Sequence, residues 1–426
     1  MKGIYFQMEE RNKLLNILNK EKNRGRAQGI AIGIAVTIAI LISVLIWAGI
    51  GMGIFRYFTT GAFFRKSSVI GTREEDKLAV LNDVIETYYL DEYDENELKE
   101  SMYKGYVDGL NDPYSQYYTK KEFTELMEDN NGTFEGIGVY LSVDQETQTL
   151  EVIRPIEGSP AEKAGMREGD LIVEVDGEDV IGQDSDIVIS KMRGEKGTKV
   201  SVGVMREGEE DIIRFDIVRD VVESVTVTSE MLTDDIGYLS LSEFASVSYD
   251  QFRLQLNELK KQGMKALVFD LRSNTGGDFD IAVKIADKFC PEGLVVYIED
   301  KDGNREEYNS DADMLGIPLV VLVNGYSASS SEIVTGAVKD HGTGTIMGTT
   351  TYGKGVVQRV LPLGDGSGIK VTIAKYYTPD GYNIHGVGIE PDVTVEWDYE
   401  KYRDEGTDNQ LEAAREYLEK ELEKGI

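Results

Sequence analysis

The sequence is poor in the residue types that bind metals or form covalent cross-links. Its 426 residues include one cysteine, Cys290, and two histidines, His341 and His385. A single cysteine forms no intramolecular disulfide and no cysteine-based zinc cluster, and two histidines leave little room for a histidine-rich metal site. Any catalysis by this chain must therefore depend on few imidazoles.

Positive charge is also scarce. The chain has 45 Lys and Arg against 77 Asp and Glu, a formal net charge of −32. Residues 1–66 hold 10 basic and 3 acidic side chains, a net of +7, so residues 67–426 carry −39. Polyphosphates and anionic lipid headgroups repel such an acidic body, and this excludes nucleic-acid binding as the default interpretation. With 41% hydrophobic and 29% charged residues, the composition is typical of a globular protein.

One long uncharged run lies near the N-terminus. Residues 27–55 contain no charged side chain, whereas a helix needs only about 20 apolar residues to cross a bilayer. The segment that follows, Arg56–Phe58, has no small-residue pattern for cleavage of a signal peptide. Basic residues before the run favour a cytoplasmic N-terminus. We expect a cytoplasmic tail over 1–26, a single-pass transmembrane helix over 27–55 and an extracytoplasmic acidic body; the alternative is a buried core helix.

Beyond this run, the hydrophobic pattern divides the chain into four parts. Residues 56–131 form a juxtamembrane and helical region with amphipathic stretches. Short β-branched runs between Gly and Asp turns predict a small β-rich domain over 132–219. Strand and helix patterns alternate over 220–395, which indicates an α/β core, and leucine spacing predicts a C-terminal helix over 396–426. The predicted fold class is therefore α/β for the core, within a multidomain chain that is α+β as a whole.

A run of serines follows a buried-strand pattern in the α/β part. The strand is predicted over 318–323, and Ser329 and Ser330 lie where an apolar helix pattern begins. A serine in the first turn of a helix is well placed for nucleophilic attack, because free backbone N–H groups and the positive end of the helix dipole stabilise an oxyanion. The alternative is that these serines only cap the helix.

Two glycine-containing loops accompany the serines. Gly276 and Gly277 end a loop after the strand pattern 265–271, where paired glycines let a substrate backbone approach and leave N–H groups free. Lys354 lies between two glycines before another strand pattern. A lysine serves as a base only when neutral, and burial lowers its ordinary pKa of about 10.4 by several units. The alternative is an ordinary surface lysine.

Five segments resemble the motifs of the carboxyl-terminal processing proteases, which are serine proteases with a Ser–Lys dyad and an inserted PDZ domain. They occur in the family's order and cover about residues 72–395. They are Asp112–Tyr117, Asp270–Gly277, Ser327–Glu332, Thr351–Gln358 and Gly386–Asp392. The resemblance implies a protease core of the ClpP/crotonase-like kind over 220–395, and it implies no metal or organic cofactor.

Position by position, the resemblance also implies roles for individual residues. Ser329 is the implied nucleophile and Lys354 the implied general base. Gln358 is implied to orient the lysine, and on a strand the two side chains would share a face. Backbone N–H groups of Ser330 and of the Gly276-Gly277 turn are implied to form the oxyanion hole.

The sequence departs from the family pattern at two positions. Ser330 stands where alanine is usual, which adds a rival hydroxyl but keeps the backbone donor. Thr275 stands where proline is common, which loosens the loop without removing its glycines.

The β-rich domain over 132–219 resembles a PDZ domain. Gly136, Ile137, Gly138 and Val139 match its carboxylate-binding loop, in which successive N–H groups bind the C-terminal carboxylate of a peptide that adds as a strand. Arg193 matches a family arginine near that groove. The alternative is a β-rich domain that only spaces its neighbours.

These residues are compatible with three alternative functions. The first is a membrane-anchored endopeptidase that cuts protein substrates near their free C-termini through an acyl-enzyme. The second is a catalytically silent PDZ scaffold at the cell surface, against which the joint presence of serine, lysine and glutamine argues. The third is a cysteine hydrolase using Cys290 with His341 or His385. The resemblance also implies a homodimer through terminal helices, although the apolar stripes at 72–90 and 407–426 equally suit packing within one chain.

Overall fold

The protein is described from a computed structural model that covers residues 71–143 and 149–425. The predicted tail over 1–26 and the predicted transmembrane helix over 27–55 lie outside these ranges. Within them, no helix is long and apolar enough to cross a membrane. The chain divides into two compact units at Glu95.

The described part of the first unit, residues 71–95, contains helix α1 (Thr72–Tyr88). The helix begins after Gly71, whose N–H donates to Glu74 Oε2 at 3.1 Å. None of the residues of α1 is buried. The apolar stripe of the helix, including Leu78 and Leu81, is exposed.

The second unit, residues 96–426, opens with a helical region that contributes one short strand. Its elements are α2 (Glu95–Asp108), β1 (Gln116–Tyr118) and α3 (Lys120–Asn131). The hydroxyl of Thr119 accepts a hydrogen bond from the Glu122 N–H, and Glu122 bonds back to the Thr119 N–H at 2.8 Å. This capping box fixes the start of α3 directly after β1.

The predicted β-rich domain is an antiparallel sheet with two short helices. Its elements are β2 (Thr133–Gly136), β3 (Val139–Val143), β4 (Leu150–Pro155), α4 (Pro160–Ala164), β5 (Leu171–Val175), β6 (Glu178–Asp179), α5 (Ser185–Met192), β7 (Lys199–Met205), β8 (Ile213–Val218) and β9 (Asp220–Glu223). Six strands form the order β3-β4-β5-β7-β8, with β6 on β5. Val152, Val202 and Val204 are wholly buried in its core, together with Ala161 of α4 and Val188 of α5.

A two-stranded ribbon connects this domain to the rest of the second unit. Strands β2 and β9 pair antiparallel, with Thr133 opposite Glu223. Gly132 precedes the ribbon and ends α3 with a φ of 67°, a left-handed conformation that favours glycine. The chain therefore enters and leaves the β-rich domain at one place, as expected of an inserted domain.

The α/β core is built on a six-stranded sheet. Its strands and helices are β10 (Val227–Met231), β11 (Ile236–Leu241), α6 (Ser248–Lys261), β12 (Ala266–Asp270), α7 (Phe279–Asp287), β15 (Leu319–Val323), α8 (Ser330–His341), β16 (Thr345–Gly348) and β19 (Val393–Thr394). The strand order is β10-β11-β12-β15-β16-β19, parallel from β11 onward. Because helices cover both faces, β12 and β15 are buried at every position and their sequences are continuously apolar apart from Asp270.

The predicted C-terminal helix over 396–426 is two helices, α9 (Tyr399–Glu405) and α10 (Asn409–Glu423). Ala414 and Leu418 of α10 are wholly buried against one face of the sheet, while α6, α7 and α8 pack on the other. The apolar stripe at 407–426 is thus used for packing within the chain.

A second, antiparallel sheet supports the edge of the core. It contains β13 (Gly293–Asp300), β14 (Arg305–Ser310), β17 (Val356–Pro362) and β18 (Gly368–Tyr377), with β1 joined to β18. The pairing of Gln116 with Lys370 brings the turn before β1 to this sheet. Strand β17 begins two residues after Lys354, so this sheet carries the chain directly after the lysine.

The parallel register of the core decides where the site lies. Asp270 of β12 lies opposite Leu322 of β15, so the loops that leave these two strands start side by side. One loop contains the glycine pair and the other contains the serine run. Binding crevices of open α/β sheets lie at the carboxyl ends of neighbouring strands, and the candidate site lies there.

Candidate active site

Ser329 lies between the end of β15 and the start of α8. Its backbone has φ 55° and ψ −114°, a conformation rarely adopted by a residue with a side chain. The Glu332 N–H donates to the Ser329 carbonyl oxygen at 2.8 Å, and the Ser329 hydroxyl makes no cap hydrogen bond. The helix cap therefore uses the backbone of Ser329, and the partly exposed hydroxyl is not needed for it.

The other serines of the run fasten two loops together. Each hydroxyl donates to a main-chain carbonyl at the end of β12 or in the loop that follows it. The bonds run from Ser327 to Leu271 (2.7 Å), from Ser330 to Gly277 (3.0 Å) and from Ser331 to Asn274 (2.8 Å). The rival hydroxyl of Ser330 is thus turned to the core. Among these described serines, Ser329 alone is not tied in this way.

The glycine pair lies directly against the nucleophile candidate. Gly276 has φ 104° and Gly277 φ 137°, which are backbone conformations that favour glycine. A Cβ on Gly276 would lie 2.8 Å from the Cβ of Ser329, and one on Gly277 would clash with the carbonyl of Phe244. Only glycine at both positions lets this loop approach Ser329 so closely.

The N–H groups of the site divide into committed and available donors. The Gly276 N–H donates to Asn274 Oδ1 at 2.9 Å in this structure, and the role of Gly276 as an oxyanion donor stays a prediction. Asn274 is wholly buried and also donates to the Leu241 carbonyl at 2.8 Å, which makes it a rigid acceptor. Within the described chain, the N–H groups of Gly277 and Ser330 have no acceptor. These two remain as candidate oxyanion donors.

Lys354 lies in the loop before β17 and is partly buried. Its Nζ is 5.1 Å from the ring centroid of Tyr114. Burial and the positive charge of Lys370 lower the pKa of Lys354, while Glu332 and Asp112 act in the opposite direction. The net direction favours the neutral amine that a general base requires.

A single buried carboxylate joins the serine and lysine loops. Glu332, in the first turn of α8, is wholly buried. It accepts hydrogen bonds from the N–H groups of Ser329, Gly353 and Lys354 at 2.8, 2.7 and 2.9 Å, and from the Thr351 hydroxyl at 2.6 Å. Glu332 is the last residue of the motif Ser327–Glu332, but the sequence alone gave it no functional role. Its position three residues after Ser329 was the available signal.

A buried tyrosine completes the link between the two loops. The Tyr376 hydroxyl, on β18, shares its one hydrogen between the Ser329 carbonyl at 3.1 Å and the Lys354 carbonyl. Burial raises the pKa of Tyr376 well above its ordinary value, so the hydroxyl stays protonated. The backbones of Ser329 and Lys354 are therefore held by side chains from two different elements.

Gln358 forms no hydrogen bond with Lys354 in this structure. Its Nε2 donates to the Val356 carbonyl and to Thr372 Oγ1, both at 3.3 Å. The premise that Lys354 and Gln358 share one face of a strand is wrong, because β17 begins at Val356 and a register shift falls between Val357 and Gln358. An orienting role for Gln358 stays a prediction.

The motif before β1 delivers an aromatic ring to the lysine. Asp112 accepts hydrogen bonds from the Tyr114 N–H at 3.1 Å and from the Ser115 hydroxyl at 2.6 Å. The Thr372 N–H of β18 donates to the same hydroxyl at 3.0 Å, which holds the turn against the sheet. A cavity of about 530 Å³ opens here, lined among others by Tyr114, Tyr352 and His385. Tyr114 is thus a site residue that sequence reasoning missed.

The groove of the β-rich domain lies along β3 and α5. The N–H groups of Ile137 and Gly138 have no acceptor among the residues described here. Gly138 has φ 79°, and a Cβ there would strike Ser159. A cavity of about 440 Å³ runs along the loop. It is lined by Phe134, Ile137, Gly138, Val139, Tyr140, Leu141, Ile156, Ile189, Met192, Arg193, Ser224, Val225, Ser242 and Glu243.

Arg193 lines this groove but is not free. Its guanidinium contacts Glu128 of α3 at 3.4 Å and lies over the ring of Phe134, 5.3 Å from the centroid. Gly136 lies at the end of β2, so its backbone belongs to the ribbon that connects the domain to the core. The predicted carboxylate loop and the predicted arginine therefore meet in one groove.

The cysteine alternative is wrong. Cys290 is wholly buried, and burial raises the pKa of its thiol to about 12. His341 bonds the Leu294 carbonyl through Nε2 at 2.8 Å, whereas His385 lies against Tyr114 with ring centroids 6.2 Å apart. A buried thiol that resists ionisation is neither accessible nor nucleophilic.

Sequence profiles of two families match the chain: Peptidase family S41 over residues 235–395 and the PDZ domain over residues 151–206. They define the class as a PDZ-containing serine peptidase. The carboxy-terminal-processing protease of Bartonella bacilliformis is 34% identical over 82% of this chain and 84% of its own. The carboxy-terminal processing protease CtpA of Bacillus subtilis is 35% identical over 79% and 72%. The chain belongs to the carboxyl-terminal processing proteases of peptidase family S41.

Among solved structures, the chain is similar to a photosystem II D1 C-terminal processing protease. The two are 32% identical, the match covers 76% of this chain and 88% of the other, and the TM-score is 0.44.

Proposed function

We propose that this protein is a membrane-anchored, extracytoplasmic endopeptidase with a Ser–Lys dyad that cuts proteins near C-termini bound by its PDZ domain. The observation that carries the proposal is the joint attachment of Ser329 and Lys354 to Glu332. It places a serine in a strained turn and a partly buried lysine in loops held to one carboxylate. A Ser–Lys dyad accounts for both the strained backbone of the serine and the partial burial of the lysine.

The acylation step follows from the available groups. Ser329 Oγ attacks the scissile carbonyl carbon while its proton passes to the neutral Lys354 Nζ. The N–H groups of Gly277 and Ser330 stabilise the negative oxygen of the tetrahedral intermediate. When the C–N bond breaks, Lys354 returns the proton to the leaving amine.

Deacylation uses the same base. A water molecule gives a proton to Lys354 and attacks the acyl-enzyme carbonyl, and the ester bond to Ser329 breaks as the proton returns to its oxygen. The cycle restores both residues. It needs no imidazole, in agreement with the low histidine content.

The substrate class follows from the groove of the PDZ domain. The unpaired N–H groups of Ile137 and Gly138 suit a free carboxylate, and the apolar wall formed by residues such as Val139 and Leu141 suits an apolar last side chain. The bound peptide would pair with β3 as an added strand. Protein tails with a free, apolar C-terminus are therefore the proposed substrates.

Membrane anchoring rests on the sequence of residues 27–55 and on the charge contrast between the two parts of the chain. The N-terminus would be cytoplasmic and the catalytic unit extracytoplasmic. Protease protection of intact cells or spheroplasts tests this arrangement: added protease should reach the catalytic unit but not an N-terminal tag. A homodimer through the N- and C-terminal helices also stays a prediction, testable by sedimentation velocity of the full chain in detergent.

Labelling with a fluorophosphonate tests the enzymatic proposal. The wild-type chain should be labelled and should cleave a peptide, and Ser329→Ala should do neither while folding normally. Ser229→Ala, in β10 of the same core, is the matched control and should keep both activities. If Ser331→Ala abolishes labelling and Ser329→Ala does not, the assignment of the nucleophile is wrong. A folded wild type that is never labelled would favour the silent scaffold.

A further inference from the structure

Every acceptor position of the Glu332 carboxylate is occupied. A carboxylate offers about four lone-pair sites, and Glu332 receives four donors. Three are backbone N–H groups. The fourth is the Thr351 hydroxyl, which itself accepts from the Ile389 N–H at 2.7 Å, so its own hydrogen points to Glu332.

This donor set requires an ionised carboxylate. A protonated Glu332 would bring a hydrogen among four donors, with no acceptor to receive it. Burial raises the pKa of Glu332 overall, and the hydrogen bonds from Thr351, Gly353, Lys354 and Ser329 limit that rise. The four converging donors are the observation that points to the ionised form. No Lys or Arg in the described chain forms a salt bridge with it. The charge is therefore held by dipoles that belong to the two catalytic loops.

The same contacts constrain the strained residue. Glu332 Oε2 fixes the direction of the Ser329 N–H, and Tyr376 fixes the Ser329 carbonyl. A disfavoured backbone conformation persists only where its surroundings over-determine it. Because Oε2 also receives the Lys354 N–H, any movement of one loop is transmitted to the other.

We infer that Glu332 is a positioning residue, whose carboxylate holds the backbones of Ser329 and Lys354 in mutual register so that the dyad can react. This inference rests on the proposed function. Glu332 does not contact the substrate in this inference. The length of its side chain sets the relative position of the Ser329 and Lys354 loops, and its charge changes the pKa of Lys354.

The effect of the Glu332 charge can be measured in the pH dependence of the reaction rate. The groups that face Lys354 are Glu332 from α8, Asp112 and Tyr114 from the turn before β1, and Lys370 from β18, with His385 beyond Tyr114. Glu332 raises the pKa of Lys354. Removing its charge makes the lysine neutral at lower pH, so the acidic limb of the rate profile should move to lower pH.

The test measures the rate of fluorophosphonate labelling of Ser329 against pH in the full-length protein. Glu332→Gln keeps the length and loses the charge, whereas Glu332→Asp keeps the charge and loses reach. In Glu332→Gln, the acidic limb of the labelling rate should shift to lower pH. The plateau rate should also fall, because the side-chain NH₂ group would face N–H donors from which it cannot accept hydrogen bonds. In Glu332→Asp, the acidic limb of the labelling rate should stay in place. The plateau rate should fall by about 10²-fold, which is the cost of displacing a catalytic group by about 1 Å.

The matched control is Thr335→Val, in the same helix. Its buried hydroxyl donates to the Ser331 carbonyl at 2.7 Å and forms no hydrogen bond with Ser329 or Lys354. Limb and plateau should both match the wild type. A folded Glu332→Gln with the wild-type limb and plateau overturns the inference. So does failure of both Glu332 variants to fold, since Glu332 would then be a structural residue. A wild type that is not labelled refutes the proposed function instead, and the inference falls with it.

Discussion

Ser329 and Lys354 donate their backbone N–H groups to the same oxygen of the buried Glu332 carboxylate. The two residues lie in different loops, one after β15 and one before β17. The relative position of nucleophile and base is thus set by main-chain contacts, and their side chains stay free for chemistry. Substitutions of the side chains should therefore change reactivity more than structure.

Lys354→Arg should be as inactive as Lys354→Ala. Arginine keeps the positive charge but does not deprotonate in proteins, so it cannot accept the serine proton. In the wild type, burial lowers the pKa of Lys354, so kcat/KM should rise with pH through that lowered value and then level off. Steady-state cleavage of a peptide across pH 5–10 measures both effects. Normal turnover by Lys354→Arg would end the dyad proposal.

Gly276→Ala should abolish activity and destabilise the fold. The new Cβ would press on Ser329 and on the carbonyl of Ala328 at 2.8 Å, at a backbone φ of 104°. Gly303→Ala is the matched control, since Gly303 has φ 79° and open space around its Cβ position. It should cost about 1–2 kcal/mol of unfolding free energy from backbone strain alone and keep full activity. Thermal unfolding and labelling separate the two effects; equal losses in both variants would show that close packing at Gly276 is unimportant.

Amidation of a substrate's C-terminus should slow its cleavage at sub-saturating concentration. The N–H groups of Ile137 and Gly138 gain charge-assisted hydrogen bonds from a carboxylate and much less from a neutral amide. The rates of a matched pair of peptides, acid and amide, give the answer directly. If the pair is cleaved equally fast, the PDZ domain does not read the end of the substrate.

Removal of Arg272 should destabilise the core severely. Its guanidinium lies 2.6 Å from Asp270 and 2.7 Å from Asp408, and all three side chains are largely buried. Arg272→Ala leaves two largely buried carboxylates without their cationic partner, which costs about 3–5 kcal/mol of unfolding free energy. Arg403→Ala, which breaks an exposed pair with Asp404, should leave the unfolding free energy nearly unchanged because solvent screens the pair. Chemical denaturation of both variants checks the contrast, and similar midpoints would contradict it.

The same cluster predicts a loss of stability in acid. Burial alone would raise the pKa of Asp408, but hydrogen bonds from Arg272 and from the Leu411 N–H lower it overall. A carboxyl group with a lowered pKa in the folded state stabilises the fold above its unfolded pKa, about 3.9. That contribution disappears as the pH falls through the lower, folded value. Asp408→Asn should flatten this part of the stability profile; an unchanged acid slope would count against it.

Local patterns in the sequence were enough to predict the domain organisation. Short β-branched runs between turns predicted the inserted β-rich domain, because strand alternation and turn residues are properties of neighbouring positions. The apolar runs of β12 and β15 predicted strands for the same reason, and the run over 318–323 predicted a buried one. The PDZ profile matches residues 151–206 and the peptidase profile residues 235–395, and the bounds predicted for the two domains stay predictions.

The contacts of the site were beyond the reach of such patterns. The Gly276 N–H is committed to Asn274, and Gln358 is displaced from the expected face by a late strand start and a register shift. Neither feature has a signature in the periodicity of the sequence.

Amino-acid sequence by itself determined which residues can do the chemistry: one serine run, one lysine between glycines, and too few cysteines and histidines for the common alternatives. Tertiary structure alone decided how they are used. Glu332, Thr351, Tyr376 and Tyr114 come from separate elements and meet only when β15, β17, β18 and the turn before β1 assemble. The physical reason is that buried donors and acceptors must find partners wherever the fold brings them, so the partner of a catalytic loop is chosen by packing and not by proximity in the chain.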